Sequence, residues 1–124
     1  MGYRSDVTAV FYTTDKEAWP AMKLYVDENF PEELKGDLRE ADSKNITGYV
    51  FEGQGWKWYD SYPDVQAFNR FVSNLLELVH DEEASLSWHY EFARIGEDYD
   101  DVQVDRSDDS AFVLSIARAI EVDI

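Results

Sequence analysis

The chain contains no cysteine, which excludes disulfides, thiol nucleophiles, thiolate zinc sites and iron–sulfur clusters. Basic residues are scarce: 11 Lys and Arg stand against 27 Asp and Glu, a formal net charge of -16 over 124 residues. A chain this acidic repels DNA, RNA and anionic membrane surfaces, and its few cations are scattered rather than gathered into a basic patch. No apolar run approaches the roughly 18 residues of a membrane span. Met1–Asp6 carry no apolar signal-peptide core, so a cytoplasmic protein is expected. Histidine occurs only twice, at His80 and His89, and nothing in the sequence brings the two together. No Gly-x-Ser-x-Gly elbow, Walker loop, His-Glu-x-x-His motif or dinucleotide fingerprint occurs. The sequence therefore points to no catalytic residue, metal or cofactor, and a non-enzymatic role is expected.

What is present is enough for a core. The apolar fraction is 44% and the aromatic fraction 15%, including 4 Trp, 8 Tyr and 7 Phe, which places the chain among folded proteins rather than acidic tails. With no repeat and no linker composition, residues 1–124 read as one domain. Residues 6–13, rich in β-branched and aromatic types, predict a strand that buries Val7, Ala9 and Phe11. Thr14 or Asp15 then caps a helix whose inner face holds Ala18, Met22, Tyr25 and Val26. Pro20 opens or kinks this helix, and Pro31 ends it or starts a short second one. Residues 35–45 are polar and read as a loop with some helical turns. Ile46–Glu52 and Trp56–Tyr59 read as two strands joined by a hairpin turn at Gly53-Gln54-Gly55. Pro63 begins the clearest helix, with Val65, Phe68, Val72, Leu75, Leu76 and Val79 as its apolar stripe, running to about His80. In the next strand Leu86, Trp88, Tyr90 and Phe92 alternate with an outward Ser87, His89 and Glu91. Residues 102–104 fit a short strand. The tail from Leu114 is ambiguous: Leu114, Ile116, Ile120, Val122 and Ile124 fit period two, broken by Arg118, and Phe112, Ile116, Ala119 and Ile120 fit a helix nearly as well; the β-branched, alternating end favours a strand.

The expected class is α+β. The order β-α-β-β-α-β matches a ferredoxin-like core with both helices on one sheet face, and the C-terminal β extension would cover the other face or leave it open. That fold hosts many functions and names none.

The acidity is uneven. Residues 1–62 hold 12 acids and 7 bases, and residues 63–124 hold 15 and 4. Between Glu97 and Asp109 there are seven acids, namely Glu97, Asp98, Asp100, Asp101, Asp105, Asp108 and Asp109, against Arg106 alone. Tyr99 lies among them. A calcium loop is the first chemistry to consider, because carboxylates are hard oxygen ligands. Counted from Asp98, however, the fifth, sixth and twelfth positions are Val102, Gln103 and Asp109 where an EF-hand needs a ligand, Gly and Glu. The aromatic group Trp56, Trp58, Tyr59, Trp88 and Tyr90 suits a core or a protein contact. As a base-stacking platform it would need cations nearby, and only Lys57 is close. Charge density also matters. A folded monomer of this mass exposes roughly 6,800 Å², or about one net charge per 430 Å², whereas duplex DNA carries about one per 110 Å². Mimicry of nucleic acid therefore requires the carboxylates to gather on one face.

Three stretches, Met1-Gly2-Tyr3-Arg4-Ser5-Asp6-Val7, Lys57-Trp58-Tyr59-Asp60 and Arg94-Ile95-Gly96-Glu97-Asp98-Tyr99-Asp100-Asp101, together resemble a family of small acidic proteins encoded by phages and prophages, most without an assigned function. The resemblance implies a mobile-element context, in which such proteins often block a host nucleic-acid-handling machine, as anti-CRISPR and anti-restriction inhibitors do. It carries over no catalytic residue. The expectation is an inhibitor that binds a basic host protein, as a DNA mimic or by steric block, through Glu97, Asp98, Asp100, Asp101, Asp105, Asp108 and Asp109, with Tyr99 as an anchor. The rival expectations are an immunity protein that neutralises a nuclease toxin and a metal-binding or structural accessory module.

Overall fold

The computed structural model describes residues 3–79, 87–98, 100–107, 114–116 and 120–122. His80, Asp81-Glu82-Glu83, Leu86, Tyr99, Asp108 and Asp109 lie outside the described residues. The architecture is α+β. Five strands, β1 (Ser5–Thr13), β2 (Leu38–Asp42), β3 (Thr47–Trp56), β4 (Trp88–Ile95) and β5 (Val102–Arg106), form one antiparallel sheet in the order β2-β3-β1-β4-β5. Helices α1 (Trp19–Asn29) and α2 (Pro63–Val79) pack on one face. A short hairpin of β6 (Leu114–Ile116) and β7 (Ile120–Val122) packs on the other.

β1 is the centre of the sheet, and every residue in it except Asp6 is buried. The alternation predicted only one buried face. Val7, Ala9 and Phe11 do meet the helices, but Val10 and Tyr12, on the opposite face, pack with Val50, Ala93 and Leu114 beneath the C-terminal hairpin. On the helical side, the Asp15 carboxylate accepts from the Glu17 N–H at 3.0 Å, capping a short 3-10 turn that runs into α1. Pro20 sits in the first turn of α1, where its missing N–H is not needed. Met22 and Val26 are buried, while Leu24 points outward and is 60% exposed. α2 buries Val65, Phe68, Phe71 and Leu75. Phe71 is absent from the predicted stripe, yet its ring lies 5.3 Å from Phe11 and 5.2 Å from Phe30, edge to face in both pairs.

Three predicted elements are corrected. The polar 35–45 segment keeps its expected helical turn only as far as Asp37, where a 3-10 helix begun at Glu32 ends; Leu38–Asp42 is not loop but a strand at the sheet edge, where charged residues protect against unwanted pairing and apolar alternation is not required. Gly53-Gln54-Gly55 is not a hairpin turn: β3 runs through it to Trp56. Ser5 pairs with Trp56 but Val7 pairs with Gly53, so β3 carries one extra residue there as a bulge. Gly55 takes φ +61, a backbone conformation that favours glycine. Its N–H donates to the Asp6 carboxylate at 2.9 Å. The hairpin partner of β3 is β2, joined through Ser43, whose N–H donates to the Ile46 carbonyl. Lys57–Tyr59 is not a strand, and Trp58 instead packs on Phe51, Phe68 and Phe92.

The outward face predicted for β4 is also corrected. Glu91 is fully buried because β6 and β7 cover it. Its carboxylate accepts from the Tyr12 hydroxyl, from the Leu114 N–H at 3.0 Å and from Arg106 Nε at 3.3 Å, while Arg106 Nη2 donates to the Leu114 carbonyl. One carboxylate thus ties the hairpin to the sheet. His89 is half-buried rather than a surface residue, and its ring lies 5.3 Å from that of Tyr12.

Candidate functional site

The acidic segment sits at one end of the sheet. β1 begins there, β3 and β4 end there, and β5 leaves from there, so the chain passes this end repeatedly. Residues 96–101 connect β4 to β5. Gly96 N–H donates to the Asp101 carbonyl at 2.7 Å and Asp101 N–H to the Asp98 carbonyl at 3.0 Å. The calcium-loop alternative needs an open loop through residue 109, but Val102 already pairs with Ile95 in a strand.

Asp101 holds this turn from beneath. Its two oxygens accept from Arg94 Nη2 at 2.6 Å and Nη1 at 3.1 Å, a bidentate pair, and Oδ2 also accepts from the Tyr3 hydroxyl at 2.6 Å. Such charge-assisted bonds favour the ionised carboxylate, and Arg94, then Tyr3, hold Asp101 down to about 2. The same contact raises the Tyr3 hydroxyl and the Arg94 guanidinium. Tyr3 Oη accepts in turn from the Asp98 N–H at 3.0 Å. A Cβ on Gly96 would stand 2.2 Å from both the Asp101 carboxylate and Tyr3 Oη, so only glycine admits this packing. Tyr3 N–H donates to the Tyr59 hydroxyl, which draws the 57–60 segment onto the same end. Arg4 N–H donates to Glu97 Oε1 at 3.0 Å, and its guanidinium reaches the Gly55 carbonyl at 2.8 Å.

The predicted site residues therefore divide. Asp101 is spent on Arg94 and Tyr3. Glu97 is exposed and engaged by a backbone N–H. Asp98 and Asp100 are exposed, and neither forms an ion pair among the described residues. Asp105 lies on the edge strand and accepts from Gln103 Nε2 at 2.8 Å. The residues that sequence reasoning missed are Tyr3, Arg94 and Gly96. The trace of Arg94 and Gly96 in the sequence is a single Arg two residues before a Gly at the start of an otherwise acidic run, and Tyr3 lies far outside that run.

Behind the turn is a cleft of about 430 Å³. Its walls are aromatic, from Trp58, Tyr59, Phe68, Tyr90 and Phe92, and its polar lining is Tyr3, Asp60, Asn69, Arg94, Asp101, Gln103 and Asp105. Burial, then the neighbouring Asp105, raises the Tyr90 hydroxyl, so it stays neutral. The folded surface is 7434 Å², which shared among a net charge of -16 is about 465 Å² per unit. The average density is thus still well below that of a duplex, and only local gathering at this end of the sheet brings charges close. No helix among the described residues is long and apolar enough to cross a membrane. Comparison with protein-family models, curated proteins and solved structures found no match for this chain.

Proposed function

We propose that this chain is a non-enzymatic inhibitor of the anti-CRISPR or anti-restriction class, and that it binds a basic, nucleic-acid-handling host protein through the acidic end of its sheet. The observation that carries this reading is the turn at 96–101. Its backbone is pinned by Asp101, Arg94 and Tyr3, while Asp98 and Asp100 stand exposed on top of it. Rigidly presented carboxylates lose little entropy on binding, and they steer a basic partner by raising its association rate. Asp6, Asp60 and Glu97 add charge at the same end. The strand order β2-β3-β1-β4, with α1 between β1 and β2 and α2 between β3 and β4, supports reading the core as ferredoxin-like, with β5 and the β6–β7 hairpin as additions. The phage-like resemblance of the three stretches quoted above supports the host-directed role.

The test is to capture the partner from a host lysate, then titrate it with wild-type chain and with an Asp98→Lys/Asp100→Lys variant, with duplex DNA as competitor. The reading expects a nucleic-acid-binding protein that DNA displaces, salt-weakened association, and at least tenfold weaker binding by the variant. Asp101 is left untouched because its loss would unsettle the turn itself. A folded double variant that binds as tightly as wild type would overturn the assignment.

A further inference from the structure

We propose that the cleft behind the turn is a seat for one arginine side chain of the bound protein. The inference deepens the acidic-interface reading and rests on it. Among the described residues, three carboxylates line the cleft, Asp60, Asp101 and Asp105, against one cation, Arg94. Arg94 is already forked by Asp101, so it has little to offer an anionic ligand. Asp60 is exposed, and among the described residues Asp105 is held only by the neutral Gln103 amide. The charge facing an incoming group is therefore negative.

The walls choose among cations. Trp58 and Tyr59 are half-buried, each with part of its surface still open. A guanidinium is planar, weakly hydrated and able to lie on an aromatic face while its edge hydrogen-bonds a carboxylate. Lysine brings a more strongly hydrated point charge and cannot fork a carboxylate. The volume lies at the small end for ligand sites, which suits one long side chain rather than a nucleotide. Gln103 and Asp105 come from the edge strand β5 and Asp60 from the segment before α2, so the cleft opens beside the exposed turn. A single basic segment can span both.

The probe is N-acetyl-arginine amide, titrated into the isotope-labelled chain while the Trp58 indole and Gln103 side-chain resonances are followed by NMR. The inference expects saturable shifts at millimolar concentration. Binding should be weaker for the lysine analogue and absent for the uncharged citrulline analogue. It should fall at least fivefold in an Asp60→Asn/Asp105→Asn variant, which spares Arg94, Asp101 and the turn. Citrulline binding as well as arginine, or no shift at the cleft up to tens of millimolar, would overturn it. The Asp98→Lys/Asp100→Lys variant separates the two readings. If it loses the protein partner yet still binds the arginine probe, both stand. If the protein partner binds the Asp60→Asn/Asp105→Asn variant as tightly as wild type, the cleft assignment fails while the turn assignment survives.

Discussion

Replacing Glu91 by alanine should free the C-terminal hairpin from the sheet. The carboxylate is fully buried and accepts from Tyr12, Leu114 and Arg106. Removing one partner of a buried ion pair costs about 3–5 kcal/mol. Arg106 keeps 28% of its side chain in solvent, so its own share is discounted for rehydration. The Tyr12 hydroxyl and the Leu114 N–H are left without this acceptor in a covered site, at about 1–3 kcal/mol each. The total stays near 3–5 kcal/mol, a large part of the 5–15 kcal/mol that holds a typical domain. For a chain of this length each kcal/mol corresponds to about 4 °C, so the midpoint should fall by roughly 12–20 °C. Urea unfolding followed by circular dichroism gives the free energy, and hydrogen exchange at the Leu114 amide reports the hairpin directly. Glu91→Gln keeps an acceptor oxygen and should lose about half as much. A loss below about 1 kcal/mol for Glu91→Ala, with Leu114 still protected, would refute the claim that this side chain is the fastening.

Gly96→Ala should cost about 2–3 kcal/mol, because its Cβ would force Tyr3 and Asp101 apart and break a charge-assisted bond. Chemical denaturation measures this, and a change within about 0.5 kcal/mol would mean that the turn yields freely. Asp101→Asn should remove a pH-dependent contribution. The folded carboxyl is held near 2, below the unfolded value of about 3.9, so the wild-type advantage is full above the unfolded value and vanishes as pH falls through about 2. Urea midpoints of both proteins between pH 2 and 7 should converge at the acid end, and parallel curves would contradict the assignment. Phe71→Ala should cost about 3–5 kcal/mol by leaving a hole among Phe11, Phe30 and Tyr25. Leu24→Ala, at an exposed site, should stay within about 0.5 kcal/mol in the same unfolding assay.

The elements legible in the sequence were those whose pattern is set by packing against one partner. α2 shows its stripe because one side of it meets the sheet, and the β1 and β4 residues that meet the helices alternate cleanly. What escaped was set by neighbours distant in sequence. The β2 segment looks like a loop because an edge strand needs only one pairing partner and keeps its charges. Gly53-Gln54-Gly55 has turn composition but serves a bulge, since the choice depends on how Ser5 and Val7 pair across the sheet. Glu91 alternates as an outward residue, and only the hairpin some 23 residues later makes it buried. At the candidate site the acidic run was visible as composition. Its division into a structural Asp101 and exposed Asp98 and Asp100 was not, because Tyr3 lies 98 residues from Asp101.

The central position of β1 has a consequence for synthesis on the ribosome. β1 is made before both of its partners, β3 and β4, and the second of these begins about 75 residues after β1 ends. At 5–20 residues per second that interval is about 4–15 s. Throughout it, Val7–Thr13 remains an apolar, β-prone stretch with one or no pairing partner. The nascent chain is therefore vulnerable to aggregation or holdase capture over a defined window, one that closes in two stages: first when β4 completes the centre of the sheet, then when the hairpin covers Val10 and Tyr12.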